Sequence, residues 1–158
     1  ELLGKGGFTT ITGGGPGIME AANKGAHGVG GRSIGLNIQL PFEQRINPYV
    51  TEATAFYYFF TRKVMLTSPA NAFALFPGGF GTLDEMMETL TLVQTKKIAP
   101  VPVIMVGEEF WKPLDEFIKK DLTEEHMIGE SDPSLYIITD DEDQILDIIK
   151  NAPLRSDN

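Results

Sequence analysis

A chain of 158 residues, 42% hydrophobic and 22% charged, is long enough to bury a core unaided and has an ordinary globular composition. Its net charge of −9 speaks against a nucleic-acid surface, which needs clustered Lys and Arg. Without cysteine, and with only His27 and His126, it offers no disulfide or thiol chemistry, and no metal site is expected.

The opening Glu1-Leu2-Leu3-Gly4-Lys5-Gly6-Gly7 reads as a helix tail closed by glycine, so an upstream strand and helix are expected to precede it. Phe8 to Thr12 predicts a short strand. Gly13-Gly14-Gly15-Pro16-Gly17 then turns into a helix carrying Ile18, Met19, Ala22 and Ala26, with Pro16 suited to its first turn. This is a glycine-rich candidate anion site but not the dinucleotide fingerprint, because Ile18 stands where glycine or alanine is needed. After the next strand, Ser33 to Ile38, the place of a ribose-binding acid is held by Asn37.

A polar connection runs from Gln39 to Pro48, and Val50 to Ala55 suggests another short strand. Phe56, Phe59, Phe60, Val64 and Thr67 fall at helical spacing and are expected to be core, with Arg62 and Lys63 on the same helix. The apolar run Ala72 to Phe76 predicts a buried strand. Beyond the following turn, Leu83, Met86, Met87, Leu90 and Val93 mark one face of a helix.

Val101 to Val106 predicts a strand, and Phe110, Leu114, Phe117, Ile118 and Leu122 a helix, with Trp111 either core or rim. Leu135 to Thr139 is a last strand, Ile145 to Ile149 a last helix, and the tail from Pro153 is expected to fray. This alternation predicts one α/β domain over residues 1–158. Its expected architecture is a Rossmann-like, doubly wound parallel sheet with helices on both faces. No apolar run approaches the ~20 residues of a membrane span, so a cytoplasmic protein without a membrane partner is expected.

The most informative stretch is Pro77-Gly78-Gly79-Phe80-Gly81-Thr82-Leu83-Asp84-Glu85, a strand-to-helix turn at the carboxyl end of a strand, where open α/β sheets bind ligands. Glycines 78, 79 and 81 let backbone approach a ligand closely. The helix start supplies unpaired N–H groups at the positive end of its dipole, which suits a phosphate. It is not a Walker A loop, for no lysine precedes Thr82, and no G-x-S-x-G elbow occurs in the chain. Glu85 has two readings. It closes a capping box with Thr82, or it is a catalytic carboxylate beside the sugar of a bound nucleotide.

The same stretch resembles the Pro-Gly-Gly-x-Gly-Thr-x-x-Glu signature of the Lonely Guy (LOG) family, cytokinin riboside monophosphate phosphoribohydrolases also labelled lysine decarboxylase-like. The resemblance takes in Gly13 to Asn23, Arg62-Lys63 and Pro77 to Glu85, and its wording around Pro16 to Glu20 looks like the bacterial members. It implies Arg62 and Glu85 as the catalytic pair and Lys63 as the family's neighbouring lysine. It also implies Gly78, Gly79, Gly81 and Thr82 as the phosphate loop, and Gly14, Gly15, Met19 and Glu20 as a second turn lining the nucleotide site. Asp84 departs from the second glutamate of many members. The activity implied is hydrolysis of the N-glycosidic bond of a purine nucleoside 5′-monophosphate, without cofactor or metal, in a homodimer or larger assembly. The apolar helices around Met86-Met87 and Phe59-Phe60 also point to self-association. The alternative is a non-catalytic nucleotide- or molybdenum-cofactor-binding protein of similar fold. Lysine decarboxylation is not supported, since no residue is singled out as a pyridoxal-phosphate Schiff-base lysine.

Overall fold

The computed structural model describes residues 1–40 and 45–153. Part of the connection expected from Gln39 to Pro48, and all of the tail after Pro153, lie outside the described residues. The chain divides into two compact units, Glu1–Ala70 and Asn71–Asn158. Each contains a three-stranded, wholly parallel sheet flanked by helices, so the α/β class read from the alternation holds.

In the first unit, α1 (Leu2–Lys5) ends at Gly6, and Gly7 takes the left-handed conformation (φ 83°) that favours glycine after a helix. Then come β1 (Thr10–Thr12), α2 (Ile18–Gly28), β2 (Ser33–Ile38), β3 (Glu52–Phe56) and α3 (Phe59–Thr67). The sheet order is β1-β2-β3. The central strand β2 is buried at every residue but Ile34, as its apolar run requires. Asn37 pairs with Ala55 and Ile38 with Phe56.

Phe56 therefore belongs to a strand, and α3 begins only at Phe59. The core expected along this stretch is not there. Phe59, Phe60 and Val64 are 54%, 63% and 58% exposed, and α3 buries no residue. Periodicity showed that one helix face is apolar, but it carried no information on what covers that face. Pro16 also differs from expectation. It precedes the N-cap, Gly17, and is not in the first helical turn.

The second unit contains β4 (Phe73–Leu75), α4 (Phe80–Gln94), β5 (Val103–Met105), α5 (Glu108–Phe117), β6 (Ile137–Ile138) and α6 (Glu142–Lys150), in sheet order β4-β5-β6. A π-helical turn, Ile118–Leu122, follows α5, where the sequence suggested one continuous helix. The core gathers Leu75, Met86, Val103, Met105, Trp111, Ile118 and Tyr136. Trp111 is core, fully buried, with its indole N–H donating to the Val106 carbonyl at 3.1 Å. Met86 is likewise fully buried and pins the second turn of α4 to the sheet. It is not available as an interface residue, whereas Met87 is 39% exposed.

A polar clasp ties the residue before β6, Tyr136, to α5. The Tyr136 hydroxyl donates to Asp115 Oδ1 at 2.7 Å, and Lys119 Nζ donates to Oδ2 at 2.8 Å. Burial works to raise the Asp115 carboxyl, but the hydrogen bonds from Lys119 and Tyr136 outweigh it and leave the group below its ordinary value. Burial, and then the bond to Asp115, pushes the Tyr136 hydroxyl above the ordinary tyrosine value. Tyr136→Phe should cost about 1–2 kcal/mol at pH 8, read by urea denaturation. The folded chain holds the tyrosine proton more tightly than the unfolded chain does. The tyrosine's contribution is therefore complete below about pH 10 and declines as pH rises past it. Asp115 works in the opposite sense: its contribution is present above about pH 4 and lost as pH falls. The gap between wild type and variant should thus narrow at both extremes. A gap that widened in alkali would show that another contact carries the effect.

Candidate functional site

Two glycine-rich turns sit at the carboxyl edges of the sheets, one in each unit. The turn of the second unit follows β4. Its Gly79 is the extended N-cap of α4 (φ −91°, ψ −154°), and Leu83 N–H makes a bond back to the Gly79 carbonyl at 3.1 Å. Phe80, Gly81 and Thr82 are thus the first three helical residues. Thr82 is not an N-cap, no side chain caps this helix, and the Thr82–Glu85 capping box does not form. The reason is local. Glycines at 79 and 81 let the helix start three residues earlier than a threonine-capped start would.

The glycines of this turn have different jobs. A Cβ on Gly78 would collide with Thr82, lying 2.8 Å from its Cβ and closer still to Oγ1. Thr82 therefore packs back over Gly78, and only glycine fits there. Around Gly79 and Gly81 nothing lies within 4 Å of a built Cβ. These two open positions border the first N–H groups of a helix with no acidic residue in its first turn, which is what an anion requires.

Glu85, half-buried, stands in the second turn, and its backbone carbonyl accepts the Thr89 hydroxyl at 2.8 Å. The turn is braced from the neighbouring strand ends. Gly107, left-handed at φ 105°, brings its α-carbon against the Pro77 ring, where a Cβ would lie 3.0 Å from Pro77 Cγ. The amide N–H groups of Gly107 and Glu108 donate to the Asp140 carboxylate.

The turn of the first unit is built differently. Gly14 and Gly15 are buried, and Gly14 (φ 71°) and Gly17 (φ 73°) are left-handed. Asn47 clamps the loop. Its N–H donates to the Gly14 carbonyl at 2.9 Å, and its side-chain amide donates to the Gly15 carbonyl at 3.1 Å and to Asn23 Oδ1 at 2.9 Å. Asn23, fully buried in the middle of α2, also accepts from the Thr12 hydroxyl at 2.7 Å and donates to Ser33 Oγ at 2.8 Å. The Thr12 oxygen in turn accepts the Gly14 N–H at 2.9 Å.

Around this turn stand several residues singled out from the sequence. A Cβ on Gly13 would lie 2.9 Å from Met19 Sδ and 3.2 Å from an Arg62 guanidinium nitrogen. Met19 and Arg62 thus close on Gly13 from two sides. Arg62 also lies over the Phe59 ring, 5.7 Å from its centroid. Glu20 falls in the first turn of α2, and its charge complements the dipole there. That makes this turn a poorer anion site than the one before α4. Lys63 is half-buried on α3 beside Arg62.

The residues that hold the first turn, Thr12, Asn23, Ser33 and Asn47, were not singled out from the sequence as functional. The one signal was Asn23, a poor helix former within a run of small residues. Asn37 carries a different feature. It is 5% exposed, and among the described residues neither its Nδ2 nor its Oδ1 has a hydrogen-bond partner. It lies directly under Gly14, where a Cβ would come within 2.6 Å of Oδ1. An unpaired buried amide costs about 1–3 kcal/mol.

A family model described as "Possible lysine decarboxylase" matches residues 19–149. The rice (Oryza sativa subsp. japonica) cytokinin riboside 5′-monophosphate phosphoribohydrolase LOG is 33% identical, over 78% of this chain and 52% of its own length. The pyrimidine/purine nucleotide 5′-monophosphate nucleosidase of Escherichia coli K12 is 30% identical, over 93% of this chain and 35% of its own length. The chain thus spans about half the length or less of these curated relatives. A molybdenum cofactor binding protein from Rippkaea orientalis superposes with a TM-score of 0.69 at 20% identity, covering 94% of this chain and 80% of that one. That likeness is one of fold.

The hydrogen-bond geometry makes Asn23 the hub of the first turn. Asn23→Ala strands the partners on Thr12, Ser33 and Asn47 and should destabilise the first unit by about 2–3 kcal/mol, measured by urea denaturation with hydrogen exchange of residues 10–40. A change under about 0.5 kcal/mol would mean that water replaces the amide without loss.

Proposed function

The chain belongs to the Lonely Guy family, whose members carry the label lysine decarboxylase-like, and we propose that it hydrolyses the N-glycosidic bond of a purine nucleoside 5′-monophosphate, releasing free base and ribose 5-phosphate. The observation that carries this reading is the start of α4. Open backbone at Gly79 and Gly81, without a first-turn acid, offers a place for the 5′-phosphate. Glu85 follows four residues after Gly81, a helical rise of about 6 Å. A carboxylate at that remove suits the sugar of a nucleotide better than its phosphate.

The roles proposed for the side chains follow from the chemistry. Cleavage at the anomeric carbon passes through an oxocarbenium-like sugar, which a carboxylate stabilises or supplies with an activated water. Glu85 is given that task. Gly78, Gly79, Gly81 and Thr82 hold the phosphate, with Gly78 keeping room for Thr82. Arg62, whose guanidinium reaches Gly13, binds anionic or hydroxyl groups of the substrate and orients it, with Lys63 beside it. Gly14, Gly15, Met19 and Glu20 line the sugar and base. No organic cofactor or metal enters this scheme.

Glutamine keeps the length and hydrogen-bonding reach of the glutamate side chain, so Glu85→Gln should leave the melting temperature near that of wild type. Release of adenine from AMP should fall by two or more orders of magnitude, followed by chromatography. Adenosine, lacking the phosphate anchor, should be a poor substrate for the wild type. A glutamine variant with full activity would sink the catalytic role and favour a nucleotide-binding module. Equal wild-type rates on AMP and adenosine would remove the phosphate from the start of α4.

Self-association belongs to the same proposal. Tyr57, Tyr58, Phe59, Phe60, Val64 and Met65 form a run of exposed apolar side chains of a kind that soluble monomers rarely leave open. A homodimer or larger assembly is expected by light scattering at micromolar concentration. A monomer there would count against it.

A further inference from the structure

Among the described residues, Asn37 carries a buried polar group that the fold leaves unexplained. Both of its amide atoms are buried without a partner among the described residues. A buried amide that pairs with none of the described residues calls for a reason. Among those residues, the usual reasons, a side-chain bond to a neighbouring strand or a loop clamp, do not apply to it. Asn23 and Asn47, in the same unit, spend their amides on such work, and Asn37 does not.

Its position supplies the reason. Asn37 is the last but one residue of β2, at the carboxyl edge of the sheet, and the backbone of Gly14 lies over it. Gly35 is close as well, where a Cβ would sit 3.3 Å from Asn37 Oδ1. Glycine backbone thus covers the amide on these sides, and the Gly14 cover belongs to the turn that closes on Met19 and Arg62 through Gly13. In dinucleotide-binding sheets the residue at the end of the second strand takes a ribose hydroxyl through a carboxylate. Here an uncharged amide stands in that place.

We propose that Asn37 is a ligand-binding residue that pairs with a ribose hydroxyl of the bound nucleotide when the Gly13–Gly17 turn shifts off it. This rests on the nucleotide reading of the preceding section. An amide offers one donor group and one acceptor, and a hydroxyl uses both. Neutrality matters too. A carboxylate would add a second negative charge to Glu20 near a substrate that already carries a phosphate, whereas an amide reads the sugar without repelling it. A base edge would also satisfy an amide, and the test separates the two.

The test uses the whole chain and measures both melting and binding. Asn37→Leu and Asn37→Ala remove the amide, one with similar branching and the other with no risk of overpacking. The free variants should melt no lower than wild type, at least for leucine, because no partner is lost. Wild type should bind AMP about tenfold more tightly than 2′-deoxy-AMP or 3′-deoxy-AMP, the weight of one hydrogen bond. In both variants AMP should weaken to the level of that deoxynucleotide, with the deoxynucleotide itself unchanged.

Equal weakening of AMP and both deoxynucleotides would assign the amide to the base and overturn the sugar assignment. Unchanged AMP binding in both variants would overturn any ligand role. Melting lowered in both variants, with binding discrimination intact, would make Asn37 structural. If the wild type binds neither AMP nor the deoxynucleotides, the nucleotide reading fails first, and Asn37 with it.

Discussion

The first unit is organised around the side chain of one buried asparagine. Asn23 lies within a helix, where an amide is neither favoured nor usually hidden, yet each end of it is occupied. Its oxygen holds the end of β1 through Thr12 and the β2–β3 connection through Asn47, and its nitrogen holds the start of β2 through Ser33. Low local dielectric makes each of these bonds stronger and the loss of any one costlier. The glycine turn that follows β1 could not keep two left-handed residues and two clamped carbonyls in place without this network. Glycine supplies the permission for that backbone path, and the asparagines supply the constraint.

The two glycine turns show how similar wording can encode different surfaces. The turn before α2 is packed: Met19, Arg62 and Asn37 fill the places where side chains on Gly13 and Gly14 would go, and an acid occupies the first helical turn. The turn before α4 is bare at Gly79 and Gly81 and free of first-turn acid. The second suits an anion better than the first. This difference follows from what surrounds each helix start, not from the number of glycines.

Much of this was legible in the sequence, and the remainder was hidden for identifiable reasons. The alternation of apolar runs and helical stripes announced parallel α/β structure, and each observed strand falls within or one residue beyond an expected one. The Pro77–Glu85 motif pointed to the start of α4, but Thr82 looked like a cap because Ser and Thr so often are. The extra flexibility of Gly79 and Gly81 moved the helix start upstream. The stripe along α3 was read as core since pattern alone cannot distinguish a face turned inward from one left exposed. Least visible was the asparagine network. Hydrogen bonds between residues 10 to 24 positions apart leave no periodic trace, and Asn37 registered only as a missing acid.

The strand order has a consequence for how the chain reaches this state. In both sheets every pairing joins strands that are neighbours in sequence, β1 with β2 and β2 with β3, then β4 with β5 and β5 with β6. The entropy of closing each connection grows only slowly with its length, and no strand must wait for a distant one to be synthesised. A nascent chain can therefore add strands to each sheet in the order in which they emerge. Contact order within each unit stays low for a parallel topology, which favours rapid collapse over long-lived, sticky intermediates. The apolar face of Phe59 and Phe60 is then exposed from early in synthesis and remains so in the folded unit.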